Sequence, residues 1–248
     1  MQGQQSTDVI DRDSLPLYLV EHYSHAYLSP LGTRIFDIQF VINAILFGQY
    51  RKLMRTMLSF LGEEIRQPAL QLTCVYGELS RYLLRRIGNN GLHITDVAPI
   101  QLDLVRRKNR SGSTLFTTRM NVESLGYRDD CFHTVVIFFL LHELPPGARS
   151  RTLAEVLRVM APGGRLLVAD YAGRPERHPL YRIKPLRRIL QRLEPYLAGF
   201  WAEDLDATMQ AAAACCGKTL DKRRQQNAFF DFYRVVEYQV GMTGNTPA

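Results

Sequence analysis

His133-Thr134-Val135-Val136-Ile137-Phe138-Phe139-Leu140-Leu141 is an unbroken apolar stretch after its first two residues. It is followed by helical spacing over 149–160, by Ala161-Pro162-Gly163-Gly164, and by Arg165-Leu166-Leu167-Val168-Ala169-Asp170. Pro-Gly-Gly stops a helix and turns the chain. A strand apolar on consecutive residues must be buried on both faces, as in the middle of a parallel sheet. Strand, helix and strand in that order make a right-handed crossover unit.

The same alternation extends upstream. Strands are expected over 69–75, 92–97 and 114–120, and helices over 80–87, with Ser80 near the N-cap, and 100–108, which Pro99 can begin. Strand and helix alternating five times gives an α/β, doubly wound, mostly parallel sheet. Downstream, a basic helix at about 179–200, an alanine-rich helix at about 207–216 and a β-rich end over 229–240 would complete it. The first sixty residues read instead as helices, with Ile35, Ile38, Ile42 and Ile45 at helical spacing. The expected organisation is a helical cap or lid over 1–64 and a Rossmann-like domain over 65–248, with a membrane- or substrate-facing helical insertion at about 174–201.

Composition narrows the class. The 248 residues are 46% hydrophobic and 22% charged, enough for a substantial core and unlike a disordered or collagen-like chain. The longest aliphatic and aromatic run, Val135 to Leu141, is far short of the ~20 residues of a spanning helix. The polar start lacks a secretory signal pattern, so the expected location is cytoplasmic. Cys74, Cys131, Cys215 and Cys216 have neither disulfide nor metal spacing. The net charge is +7, and much of the excess is local: Arg174, Arg177, Arg182, Lys184, Arg187, Arg188 and Arg192 face one acid, Glu176. Such a run is either a solvated helix face or a contact with a polyanionic surface.

In a doubly wound sheet, ligands bind at the C-terminal ends of the strands. The tips here supply Tyr76, Gly77 and Glu78, then Asp96, Asn121, His142 and Glu143, and finally Asp170 and Tyr171. Asp96 lies about twenty residues past the first turn, where a carboxylate can accept hydrogen bonds from ribose hydroxyls.

The Ala161–Asp170 segment, together with Leu140-Leu141-His142-Glu143-Leu144, resembles the class I S-adenosylmethionine (SAM) methyltransferases, which implies that Rossmann-like fold and SAM as cofactor. The first tip departs from their acid-x-Gly-x-Gly-x-Gly loop. The register reads Gln71-Leu72-Thr73-Cys74-Val75-Tyr76-Gly77, so Gln71 replaces the acid, Thr73 and Val75 replace two glycines, and only Gly77 remains. A β-branched residue disfavours positive φ and fills the space that glycine leaves open. The expected cofactor contacts are Gln71, Val75, Tyr76, Gly77, Glu78, Asp96, Val97, Asn121, Val122 and Leu140.

A narrower resemblance rests on Cys74-Val75-Tyr76-Gly77-Glu78-Leu79-Ser80, on Asp96-Val97-Ala98-Pro99-Ile100-Gln101 with Arg106-Arg107-Lys108, on Phe139–Glu143 and Asp170-Tyr171, and on Tyr23-Ser24-His25-Ala26-Tyr27-Leu28-Ser29-Pro30. Together these resemble the RquA proteins of rhodoquinone biosynthesis, although His25 and Glu78 stand where members often carry Trp and Asp. The resemblance implies conversion of ubiquinone to rhodoquinone, with a ring methoxy group replaced by an amino group, SAM as amino donor and Mn2+ assisting. On that basis the expected catalytic residues are Tyr76, His142 and Asp170. The expected substrate contacts are Tyr23, Tyr27, His142, Glu143 and Tyr171, and the expected metal ligands are Glu78, Glu143 and Asp170. The implied partners are a ubiquinone-type lipid quinone and, through the basic helix, the inner face of a membrane, with no nucleic acid. A methyltransferase acting on a lipophilic acceptor is the alternative. A basic nucleic-acid-binding protein on a degenerate scaffold is a third possibility, against which the basic cluster lacks interleaved aromatic residues.

Overall fold

The computed structural model describes residues 15–23, 28–29, 31–32, 35, 37, 39–74, 76–88, 91–109, 112–173, 176 and 178–243. Among them the chain forms a seven-stranded sheet of order β3-β2-β1-β4-β5-β7-β6. The strands are β1 (Ala69–Leu72), β2 (Leu92–Asp96), β3 (Leu115–Arg119), β4 (Phe132–Phe138), β5 (Met160–Tyr171), β6 (Lys218–Ala228) and β7 (Tyr233–Met242). β1 to β5 run parallel, and β7 pairs antiparallel with both β5 and β6. The chain steps outward from β1 to β2 and β3, then returns to β4 on the other side of β1. That reversal places the topological switch point between β1 and β4.

Burial explains the order. All four residues of β1 are buried, as are six of the seven in β4, which fits their central position. β3 and β6 form the edges. Most of β6 is exposed, and its run of charged and amide side chains suits an edge that must not pair further. The Ala161–Gly164 stretch is not a free turn: β5 already pairs at Met160, with a register shift beside Phe132. A Cβ on Gly164 would lie 2.7 Å from the Ala161 carbonyl oxygen, so only glycine fits this bulge.

The helices are α1 (Leu17–His22), α2 (Gln39–Ile45), α3 (Tyr50–Leu61), α4 (Leu79–Arg86), α5 (Pro99–Lys108), α6 (Pro146–Val159), α7 (Pro179–Arg182), α8 (Lys184–Leu193), α9 (Leu197–Ala202) and α10 (Leu205–Cys215). The helical stretch expected from the spacing of Ile35, Ile38, Ile42 and Ile45 ends at Phe47 and Gly48, which take positive φ between α2 and α3. Tyr50, Leu53, Met54, Met57, Leu58 and Leu61 make one buried stripe on α3 and join the same core as the sheet. α1 and α2 lie over the strand tips, where Leu19, Tyr23, Val41, Ile42 and Ile45 line a cavity. Among the described residues no helix is long and apolar enough to cross a membrane.

Candidate active site

The cavity has a volume of about 490 Å3 and sits at the C-terminal ends of β1, β2, β4 and β5, roofed by α1, α2 and the end of α8. Its wall is mostly apolar, with a few convergent polar groups, the usual form of a small-molecule site.

At the β1 tip, Thr73 adopts φ +64°, a left-handed conformation in a β-branched residue that stands where the usual loop has glycine. Gln71 is buried and its Nε2 donates to the Thr73 carbonyl at 2.9 Å, so the residue in the acid's place braces the loop and does not reach the cavity. The following residues are held from the N-terminal helices. The Tyr50 hydroxyl donates to the Tyr76 carbonyl at 3.1 Å and accepts from the backbone N–H groups of Glu78 at 2.9 Å and Leu79 at 3.2 Å. Gly77 N donates to Asp37 at 3.1 Å, and Lys108 bridges that carboxylate and the Gly77 carbonyl. Tyr76 lines the cavity, and its hydroxyl accepts from Gln101 Nε2 at 2.8 Å.

Asp96 closes β2 and faces the cavity. One oxygen accepts from Cys74 N and the other from Ala98 N, both at 2.9 Å. The Cys74 thiol and the Val97 N–H also lie on this carboxylate, so a ligand diol would share it with the loop that it holds. Burial raises its pKa to about 6, although the N–H donors of Ala98 and Cys74 partly oppose that. Burial, and then Asp96 itself, push the Cys74 thiol well above its ordinary value.

The opposite wall holds the acids. Asp170, fully buried at the end of β5, accepts from Leu141 N at 2.9 Å, Tyr171 N at 2.8 Å and His142 Nδ1 at 2.7 Å. His142 Nε2 lies 3.7 Å from Glu194, which also accepts from the Tyr23 hydroxyl at 3.2 Å. Burial disfavours the imidazolium, but Asp170, Glu194 and Glu143 outweigh it and raise the His142 pKa to about 9. Burial, and then Glu143 and Glu194, raise the hydroxyl pKa of Tyr23, and burial, then Tyr233 and the three acids, raise that of Tyr171. Ligand atoms of His142, Glu143 and Glu194 lie within 4.8 Å of one another. The fully buried Arg149 donates to the carbonyls of Leu141 and Leu144, at 2.9 and 2.8 Å, and so fixes the turn that carries His142 and Glu143.

The fold thus brings Tyr23, Tyr76, Asp96, Val97, Asn121, Val122, Leu140, His142, Glu143 and Tyr171 to one cavity. Val75 and Tyr27 lie outside the described residues. Gln71, Gly77, Glu78 and Asp170 do not line the cavity. The expected metal trio of Glu78, Glu143 and Asp170 is not assembled. Glu78 pairs with Arg81 at 3.5 Å beside α4, and the Asp170 oxygens already accept three hydrogen bonds. Glu143 is grouped instead with His142 and Glu194. Sequence reasoning did not single out Asp37, Tyr50, Arg149 or Glu194. Only Glu194 carried a signal, as the sole acid between Glu176 and Glu203.

Comparisons with known proteins agree on the fold. Residues 69–164 match a methyltransferase domain family. A ubiquinone/menaquinone biosynthesis C-methyltransferase of Proteus mirabilis is 31% identical over 142 residues, 55% of each chain, so the chain spans about half the length of this curated relative. The solved structure of magnesium protoporphyrin IX methyltransferase from Synechocystis, with bound S-adenosylhomocysteine, superposes with a TM-score of 0.58 at 15% identity, covering 88% of this chain and 97% of that one. The [4+2]-cyclase SpnF superposes at 0.56 with 14% identity, covering 86% and 95%. This chain has the Rossmann-like class I SAM methyltransferase fold, and its residues 69–164 match the methyltransferase domain.

Proposed function

We propose that this protein is a SAM-using transferase acting on the ring of a ubiquinone-type lipid quinone, and that it replaces a ring methoxy group by an amino group as in rhodoquinone biosynthesis. The observation that carries this is the set of three carboxylates, Asp170, Glu143 and Glu194, around His142 in an apolar cavity. It favours positive charge on one wall, beside the space for a ring, and an electrophilic quinone carbonyl is activated for attack by an amine when a positive group faces its oxygen. Addition of an amine needs that activation, whereas methylation of a ring carbon needs a base.

Each part of the site has a role in this reading. Asp96, a carboxylate facing the cavity at the end of β2, suits ribose hydroxyls, with Val97 and Val122 beside it for the adenine. Asn121 and Leu140 border the same space. SAM would supply the nitrogen: the ring carbon gains the C–N bond and loses its methoxy group as methanol, and hydrolysis then breaks the Cα–N bond of SAM, the α-carbon being oxidised to the keto acid as the quinone is reduced to the quinol. At the amino-acid end no acid occupies the usual place, because Gln71 is turned into the loop, and the altered backbone at Thr73 leaves that end to be held differently. Tyr23 and Tyr171 flank the ring, and His142 holds a proton at the carbonyl side with its ring fixed by Asp170. Tyr76 is placed to orient the amine.

The donor set also fits manganese. His142, Glu143 and Glu194 offer one nitrogen and two oxygen ligands, and Asp170 on Nδ1 is the outer carboxylate that commonly orients a metal-bound histidine. A divalent ion there would supply Lewis acidity at the carbonyl in place of the proton on Nε2.

Methyl transfer to a quinone precursor is the second reading, favoured by the similarity to the C-methyltransferase of Proteus mirabilis. Mass spectrometry of a short-tailed ubiquinone and, in parallel, of a short-tailed precursor lacking the ring methyl, each incubated with the protein, SAM and manganese, separates the two. Amino in place of methoxy supports the first, and one added methyl group selects the second.

A further inference from the structure

We infer that α8, together with the exposed tips of α1 and α2, is a docking face for an anionic bilayer, placed so that the cavity opens onto the lipid. The inference rests on the proposed lipid-quinone acceptor and adds the surface from which that acceptor is drawn. Lys184, Arg188 and Arg192 recur every fourth residue along α8 and form one basic stripe. Ile189 and Leu193, also four apart, lie beside that stripe and are 56% and 62% exposed. α8 contains no acidic residue, and Leu190 on its other side packs against the core, so the helix is held in place with both stripes outward. A basic stripe bordering an exposed apolar one is the pattern of a helix lying in a membrane interface.

The apolar stripe leads into the site. Leu193 lines the cavity while exposed, and so does Ile45 of α2 across from it. On the two helices that roof the cavity, Phe40 of α2 is 80% exposed and Leu17 of α1 is 76% exposed, which adds apolar surface to this rim. Nucleic acid would satisfy the basic stripe but leave these aliphatic and aromatic groups in water. An anionic bilayer satisfies both, with phosphate headgroups on the stripe and acyl chains on the rim. A quinone headgroup could then enter between Leu193 and Ile45 while its tail stays in the lipid.

The test is co-sedimentation of the full chain with vesicles of phosphatidylcholine containing phosphatidylglycerol, against phosphatidylcholine alone. Binding is expected only to the anionic vesicles and should weaken with salt. It should fall about tenfold or more in Lys184→Glu/Arg188→Glu, and also in Phe40→Ser, with thermal melts unchanged. SAM binding and turnover of a short-tailed soluble quinone should stay at the unsubstituted level in both variants. Equal partition onto neutral and anionic vesicles, or capture of duplex DNA or RNA with no vesicle binding, would overturn the docking face. Soluble-quinone turnover would then still stand for the proposed reaction. Vesicle binding by the stripe without any quinone product would uphold docking and sink the reaction instead.

Discussion

The Tyr50 hydroxyl oxygen lies 2.5 Å from the point a Cβ on residue 77 would occupy, and Gly77 has φ +82°. The last glycine of the loop is therefore required twice, by its backbone conformation and by the phenol that binds the start of α4. Gly77→Ala is expected to lower folding stability by about 1–3 kcal/mol and to weaken SAM binding. Tyr50→Phe keeps the ring but removes the acceptor for Glu78 N and Leu79 N, and is expected to lose about 1–3 kcal/mol. Denaturant unfolding read beside calorimetric SAM titration checks both.

Asp96 should make SAM binding depend on pH. Its folded pKa of about 6 lies above the ordinary 3.8, so the group favours folding below pH 4 and that contribution is lost as pH rises toward 6. Ligand binding runs the other way, since only the carboxylate accepts two hydroxyl donors. The SAM dissociation constant is expected to rise about tenfold from pH 7 to pH 5. Asp96→Asn should bind weakly at both pH values; a variant with unchanged affinity would remove Asp96 from the cofactor site.

His142 and Asp170 should act as a pair. His142→Ala and Asp170→Asn are each expected to lower turnover about 100-fold or more, with SAM affinity retained. Because they share one hydrogen bond, the double variant should lose little beyond the worse single one. Steady-state rates on a short-tailed quinone decide this.

Manganese retention should depend on Glu194. Titration of free manganese by electron paramagnetic resonance is expected to show binding weakened about tenfold or more in Glu194→Gln and unaltered in Glu78→Gln. Loss of binding in the second variant alone would return the metal to the β1 loop.

Arg149 should position the turn it holds. Its guanidinium pairs with Glu203 and binds the Leu141 and Leu144 carbonyls in a fork that lysine cannot reproduce. Arg149→Met is expected to cost about 3 kcal/mol by leaving Glu203 and two carbonyls without their partner. Arg149→Lys should fold and lower kcat with little change in KM for SAM. A parallel loss of both constants would mark Arg149 as a purely structural residue.

The parallel core was legible because a strand segment buried on both faces is apolar on consecutive residues, as Val135–Phe138 of β4 and Leu166–Ala169 of β5 are. β6 escaped notice for the opposite reason. As an exposed edge it has no buried face, so its Asp221–Asn227 run shows no alternation to read. The tip residues Asp96, His142 and Glu143 were legible through the rule that ligands sit at strand ends. Asp37, Tyr50 and Glu194 were not, since each reaches its partner from an element distant in the chain, and Arg149 was not, since no spacing marks a helical arginine that turns back onto the carbonyls just before its own helix.

Local patterning alone therefore determined the α/β class, the strand tips and the loss of loop glycines, all of which follow from spacing within a few residues. Only the tertiary structure decided what those tips became: that Gln71 turns inward to brace Thr73, and that Glu143 joins His142 and Glu194 while Glu78 pairs with Arg81. Glu194 reaches His142 from an element far along the chain, at a distance that no periodicity encodes, whereas Glu78 finds Arg81 only three residues on and is thereby kept from the acids.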